Sequence, residues 1–174
     1  MSSAWAGAYG NRLQQKKQLR QAERFLQFAA RIDPQNWPAG LGLGKMYYQR
    51  RYYELDPVRK HEWGRREQAA YAEAYRMNPL DEEVVYGLGC AELFLGNRDA
   101  GLNYLRQVAN HMRFNDFYCR KRGIELRKAG LYGEARTAFE RALKLDRSNG
   151  TVKRNIEWLN KKHPESGKQN SDAR

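Results

Sequence analysis

The chain is poor in the residues that catalysis, metal binding or covalent cross-linking draw on. Only two of its 174 residues are cysteine and three are histidine. Cys90 and Cys119 have no CxxC spacing and no neighbouring histidine, so a disulfide framework is not expected. Two reduced thiols in a cytosol-like setting are expected instead. His61, His111 and His163 stand far apart, with no Glu or Cys at ligand spacing, so neither a metal site nor a cofactor is expected. No Ser/His/Asp cluster or paired carboxylate stands out, and the chain is read as non-enzymatic. No apolar run approaches the roughly 18 residues of a membrane span. The opening "MSSAWAGAYG" lacks both a basic n-region and an apolar h-region, so no secretory signal is expected. The expected location is cytoplasmic, or the soluble part of a larger envelope protein.

Charge is what the chain has in excess. Charged residues make up 30%, the formal net charge is +12, the pI is about 9.8 and the mean hydropathy is −0.95. Such a balance favours acidic partners, nucleic acid or anionic surfaces. The Lys and Arg residues are interspersed with Glu and Asp, which reads mainly as solvated helix surface. The largest surplus follows residue 110.

The second feature is internal repetition. "AGLYGEARTAFERALKLDRSNG" (129–150) has a Gly-containing turn, then Ala135, Phe139 and Ala142 at helical spacing. "QLRQAERFLQFAARIDPQNW" (18–37) has the same layout through Ala22, Leu26, Ala29 and Pro34. "REQAAYAEAYRMNPLD" (66–81) repeats it through Tyr71, Ala74 and Pro79, and "NRDAGLNYLRQVANHM" (97–112) more loosely through Gly101, Leu105 and Val108. Upstream, Gly10, Gly44, Gly89 and Gly123 are spaced by 34, 45 and 34 residues, and Ala29, Ala74, Val108 and Ala142 by 45, 34 and 34. The period is 34, with eleven extra residues between Gly44 and Ala74.

On these residues the chain, from 3 to about 160, resembles the tetratricopeptide repeat (TPR) family, whose unit of 34 residues forms two antiparallel helices. Asp33-Pro34 and Asn78-Pro79 match the unit ends. Arg113 and Arg147 depart from that proline, Glu67 departs from a slot normally held by alanine, and Glu92 from an apolar one. The resemblance implies an all-α, right-handed α-solenoid of antiparallel helix pairs, in one domain over 1–163. Its repeats are 3–36, 37–81 with the eleven-residue insertion, 82–115 and 116–149, followed by a capping helix, 150–162. The cap sets Val152, Ile156 and Leu159 on one face, with Trp158 as an apolar shoulder. Residues 164–174 have no apolar periodicity and are expected to be disordered.

Repetition also explains "GLGLGK" (40–45), which looks like a phosphate cradle. A nucleotide loop needs GxxxxGK followed by Ser or Thr, on a turn after a strand. Here Ala39 stands in place of the first glycine, Met46 follows the lysine, and no β-rich run precedes it. The echo "GLGC" (87–90) instead puts Gly44 and Gly89 where the repeat needs a side chain small enough for two helices to approach closely. The insertion is read as an extended helical hairpin. Three helical turns take about 10.8 residues, so eleven shared by two helices keep each buried face in register. In the turn, Asp56 is the expected N-cap and Pro57 opens the next helix.

In a TPR stack the first helices of the pairs line a concave groove. The resemblance therefore implies a peptide-binding set of Asn11, Gln14, Leu41, Lys45, Tyr48, Tyr86, Cys90, Leu93, Arg120, Ile124 and Arg127. Tyrosine, leucine and arginine there suit a peptide or protein segment carrying acidic residues. The set that grips chaperone C-terminal carboxylates is not expected, because Gly7 and Gly42 stand where Lys and Asn should be, although Asn11 matches. A non-catalytic scaffold or adaptor is the leading function. Two alternatives stay open. One is the soluble TPR part of a bacterial envelope, polysaccharide-assembly (O-antigen ligase-like) protein, or a secretion chaperone. The other is binding of RNA or another polyanion through "RKHEWGRR" (59–66) and "CRKRG" (119–123), beside Trp63, Phe117 and Tyr118. Nothing in the residues fixes an oligomeric state.

Overall fold

In a computed structural model, which describes residues 2–16, 18–109 and 115–167, the chain is a succession of helices. They are α1 (Ser3–Gln15), α2 (Leu19–Ile32), α3 (Trp37–Tyr53), α4 (Pro57–Met77), α5 (Glu82–Leu95), α6 (Arg98–Ala109), α7 (Asp116–Lys128), α8 (Tyr132–Leu145) and α9 (Gly150–Lys162), then a 3₁₀ turn, Pro164–Gly167. No strand occurs among the described residues.

Local chemistry sets the helix starts. Ser2, Asn36, Asp56, Asp81, Asn115 and Asn149 each accept a bond from a backbone N–H in the first turn of α1, α3, α4, α5, α7 and α9. This satisfies one of the donors that every helix start leaves open. The α5–α6 turn is made by Gly96 at φ 90°, a left-handed conformation in which a side chain would be strained.

Packing resolves the chain into two compact units, residues 1–104 and 105–174, with the division inside α6. The sequence suggested one domain over 1–163. In a repeat array each hairpin touches only its neighbours, so cohesion varies from junction to junction.

In the first unit α1 packs on α2 and α3, α2 on α3, α3 on α4, and α4 on α5. Ala6, Leu26, Ala29 and Ala39 form a fully buried cluster, with Phe25, Ala30 and Leu43 against it. Burying a leucine such as Leu26 contributes about 1.5–3 kcal/mol. Small residues let the helices close. The Tyr71 ring of α4 lies between Gly44 of α3 and Gly87 of α5, where an added Cβ would come within 2.7 and 2.4 Å of ring carbons. Those glycines are seats for an aromatic ring, not a phosphate cradle.

The insertion is helix throughout except at its turn. α3 has 17 residues and α4 has 21, against 13 in α1 and 14 in α2. The excess is close to one turn in α3 and two in α4. Asp56 is the N-cap and Pro57 the first helical residue.

Both acidic departures from the repeat pattern have structural partners. Glu67 is fully buried. It accepts from Arg51 Nε at 2.5 Å and Nη2 at 3.2 Å, while the Arg51 guanidinium lies 4.1 Å over the Phe94 ring. Glu92 accepts from the amides of Gln68 at 3.0 Å and Asn97 at 2.7 Å.

In the second unit α7 packs on α8 and α8 on α9. An added Cβ on Gly123 would meet the buried Phe139 ring at 2.7 Å, which repeats the small-against-large pairing. Val152 and Leu159 of α9 are fully buried and Trp158 is 37% exposed. Arg136 ties α8 to α9 by a 2.6 Å bond to Asn160. The expected disordered tail begins with structure: Pro164–Gly167 packs on α8 and α9. Just before it, the His163 ring stacks on Tyr132 at 3.5 Å between centroids. Residues 168–174, and 110–114 with His111 and Arg113, lie outside the described residues.

Candidate functional site

The first helices of the pairs are the natural place for a binding surface, and in the first unit they lie side by side. α1 packs on α3 and α3 on α5. Of the residues chosen by spacing, Asn11 of α1, Leu41, Lys45 and Tyr48 of α3 and Tyr86 of α5 are partly exposed. Asn11 sits at Gly42, where an added Cβ would come 2.2 Å from its Oδ1. Gly42 is thus the space that lets α1 rest on α3.

Three choices are corrected. Gln14 (7% exposed), Cys90 (4%) and Leu93 (7%) are buried and present almost no surface. Leu93 points toward α6, where an added Cβ on Gly101 would meet it at 2.7 Å. α5 is covered on several sides, with every residue from Val84 to Leu93 buried except Tyr86. On such a helix an i, i+4, i+7 stripe does not separate the open face from the packed ones.

The electrostatics differ from a simple reading as well. Lys45 bridges to Glu83 of α5 at 2.5 Å, both about four-tenths exposed, so its charge on the wall is locally matched. Glu83 was missed by the spacing argument, because a pair joining two repeats leaves no local signal. Tyr48 stacks on Tyr52 at 6.2 Å, with the Arg51 guanidinium 5.2 Å from its ring. Behind the wall, burial holds the Tyr71 hydroxyl well above its usual pKa, and the charge on Glu67 adds to this. Tyr47 also has a raised pKa, chiefly from burial, and its hydroxyl donates to Glu23 at 3.2 Å. Glu23 in turn takes Arg50 at 2.7 Å. These phenols and carboxylates hold helices together.

The second unit carries its own patch on α7. Arg120, Ile124 and Arg127 are all partly exposed. The Arg120 guanidinium lies 5.5 Å from the Phe117 ring and that of Arg127 5.0 Å from Trp158 of α9. The Nε of each is buried without a hydrogen-bond partner among the described residues. Aromatic rings fix the two guanidinium planes. The capping helix therefore supplies Trp158 to this patch, a contribution that amphipathicity alone did not reveal.

Among the described residues no cluster of His, Cys, Asp or Glu is arranged to hold a metal, and no helix is long and apolar enough to cross a membrane. Burial raises the Cys119 thiol pKa, which disfavours the thiolate.

No protein-family profile matches the sequence, and no curated protein matches it. Solved structures do. The crystal structure of MamA covers 95% of this chain and 86% of its own, at 16% identity and a TM-score of 0.73. TTC0263, described as a thermophilic TPR protein in Thermus thermophilus, covers 91% of this chain and 82% of its own, at 15% identity and 0.72. YrrB, described as a TPR protein with an unusual peptide-binding site, covers 95% and 77%, at 19% identity and 0.70. The chain has the fold of these proteins, an α-solenoid of TPR-type helix pairs.

Proposed function

We propose that this chain, which has the tetratricopeptide repeat fold, is a non-catalytic protein-interaction module. Its wall of first helices α1, α3 and α5 receives a peptide or protein segment. The observation that carries the reading is the wall itself, where Leu41, Tyr48 and Tyr86 stay partly exposed while the apolar residues behind them are buried. Tyrosines held by their neighbours lose little freedom on binding and are frequent anchors of recognition. The peptide-binding site named for YrrB supports the same use of a related fold. On α7, Arg120 and Arg127 favour acidic side chains in whatever segment meets that patch.

The test is selection of peptides from a displayed random library on the immobilised protein, followed by affinity measurement with Tyr48→Ala/Tyr86→Ala. Wild type should enrich a consensus, and the double variant should bind it about tenfold or more weakly, a loss of about 1.4 kcal/mol. Equal binding by both, with helicity unchanged, would remove the wall from the function. Binding of RNA alone, lost steeply with added salt, would instead favour the polyanion reading.

A further inference from the structure

Among the described residues, Arg50, Arg120 and Arg127 have a buried Nε with no hydrogen-bond partner. A buried donor left without a bond is costly, so each such group asks for a reason. Arg50 finds its counter-charge within the fold, because its Nη2 donates to Glu23 of α2 at 2.7 Å. The other cations of α3 are matched in the same way, Lys45 by Glu83 and Arg51 by Glu67. Arg120 and Arg127 of α7 differ. Among the described residues neither guanidinium meets a carboxylate. Of the two acids on α7, Glu125 takes Lys128 at 2.8 Å, and Asp116 bridges neither arginine. Partly exposed Ile124 stands between the two on the same stripe of the helix. The imbalance extends to the whole unit, since most of the net charge of +12 falls in residues 105–174.

We propose that Arg120 and Arg127, held by Phe117 and Trp158, dock a peptide segment carrying at least two acidic side chains. That segment brings from outside the carboxylates that the cations of α3 find within the fold. The inference rests on the reading of the chain as a peptide-binding module and names the chemistry of the occupant. Charge complementarity selects acids, and the anchoring calls for more than one. Arg120 is held to a ring of its own helix and Arg127 to a ring of α9. Their Cα atoms lie about 10.5 Å apart along α7, so one carboxylate does not serve both. An extended chain covers that distance in about three residues, and Ile124 gives its stems an apolar contact midway. A nucleic acid fits less well. Its phosphates place a charge at every step, whereas this stripe reads positive, apolar, positive, with Glu125 alongside. Its bases would also need open ring faces. Phe117 already carries Arg120 at 5.5 Å and Lys121 at 4.5 Å. Trp158 carries Arg127 and lies against Tyr132 and His163, with centroids 6.0 and 5.3 Å away.

Fluorescence anisotropy of labelled oligoglutamate, oligoglutamine and oligouridine with the full chain at physiological salt tests it. Wild type should bind oligoglutamate and not oligoglutamine. Arg120→Gln/Arg127→Gln should weaken that binding on the order of tenfold with helicity intact. Arg12→Gln/Arg24→Gln removes the same charge from exposed positions on α1 and α2 and should weaken it less than about twofold, because exposed distant charges are screened. In wild type the Arg120 and Arg127 Hε NMR signals should shift on adding oligoglutamate, a readout that needs no variant. Tyr48→Ala/Tyr86→Ala should leave oligoglutamate binding unchanged, so failure of the wall and failure of this patch are read separately. Three results would overturn the proposal. The first is no binding of oligoglutamate, or binding without a shift of those signals. The second is equal loss in the two arginine variants, which leaves only net charge. The third is tighter binding of oligouridine that Arg120→Gln/Arg127→Gln abolishes, which assigns the patch to nucleic acid.

Discussion

At the scale of single residues, the side chains that break the repeat pattern are the informative ones. Arg51 and Glu67 form a bidentate pair with almost no solvent access. Removing one partner strands a buried charge, so Arg51→Met should cost about 3–5 kcal/mol. Arg51→Met/Glu67→Leu should recover most of that, because the stranded charge is gone. Hydrogen exchange of α3 and α4 amides reads both effects. In sequence Glu67 was visible only as a misfit, because its partner sits on the facing helix. A second case tests titration. Asp146 has a lowered pKa, first because it accepts from the Ser148 hydroxyl, then from the Ser148 N–H. Its folded pKa lies below the unfolded one, so its stabilising contribution is present above the unfolded pKa. That contribution is lost as pH falls through the folded value. Ser148→Ala should move the Asp146 carboxyl back toward 3.8 in an NMR titration.

Elements show how much the periodicity could say. The 34-residue spacing located the helix pairs, because small residues must recur wherever helices close on one another. Gly44 and Gly87 against Tyr71 show the physical content of that rule. Gly44→Ala gains about 1 kcal/mol of helix propensity and loses about 1–3 kcal/mol to overcrowding of the ring. In a Tyr71→Leu background the crowding goes and the propensity remains. The same substitution should then stabilise, and thermal melts of the four proteins of this cycle should show a coupling of about 1–3 kcal/mol. The candidate wall was less legible. Of the residues chosen by spacing, Leu41, Lys45 and Tyr48 on α3 are partly exposed, whereas Cys90 and Leu93 on α5 are buried. A helix covered on several sides has apolar residues all round and hides its phase.

Whole-molecule behaviour should follow from cohesion that passes only between neighbours. α9 closes the second unit by burying Val152 and Leu159. Leu159→Ala should cost about 2–5 kcal/mol and lower amide protection in α8 and α7, measured by hydrogen exchange. Trp158→Ala removes a half-exposed ring. It should leave that protection nearly unchanged while loosening the orientation of Arg127, an effect seen in the Arg127 side-chain NMR signals. The cap's contribution to the arginine patch could not be read from one sequence, since it depends on which face a neighbour leaves uncovered.

The α3–α4 hairpin, longer than its companion by about one coil on one arm and two on the other, constrains its own inheritance. A two-residue deletion in α4 upstream of Glu67 would swing the outer segment by about 200° relative to the anchored remainder, driving polar side chains inward. Loss of seven leaves the angular phase nearly unchanged. Descendants of this gene can therefore shorten or lengthen the spike only in whole-coil steps, and surviving length variants should cluster at those increments.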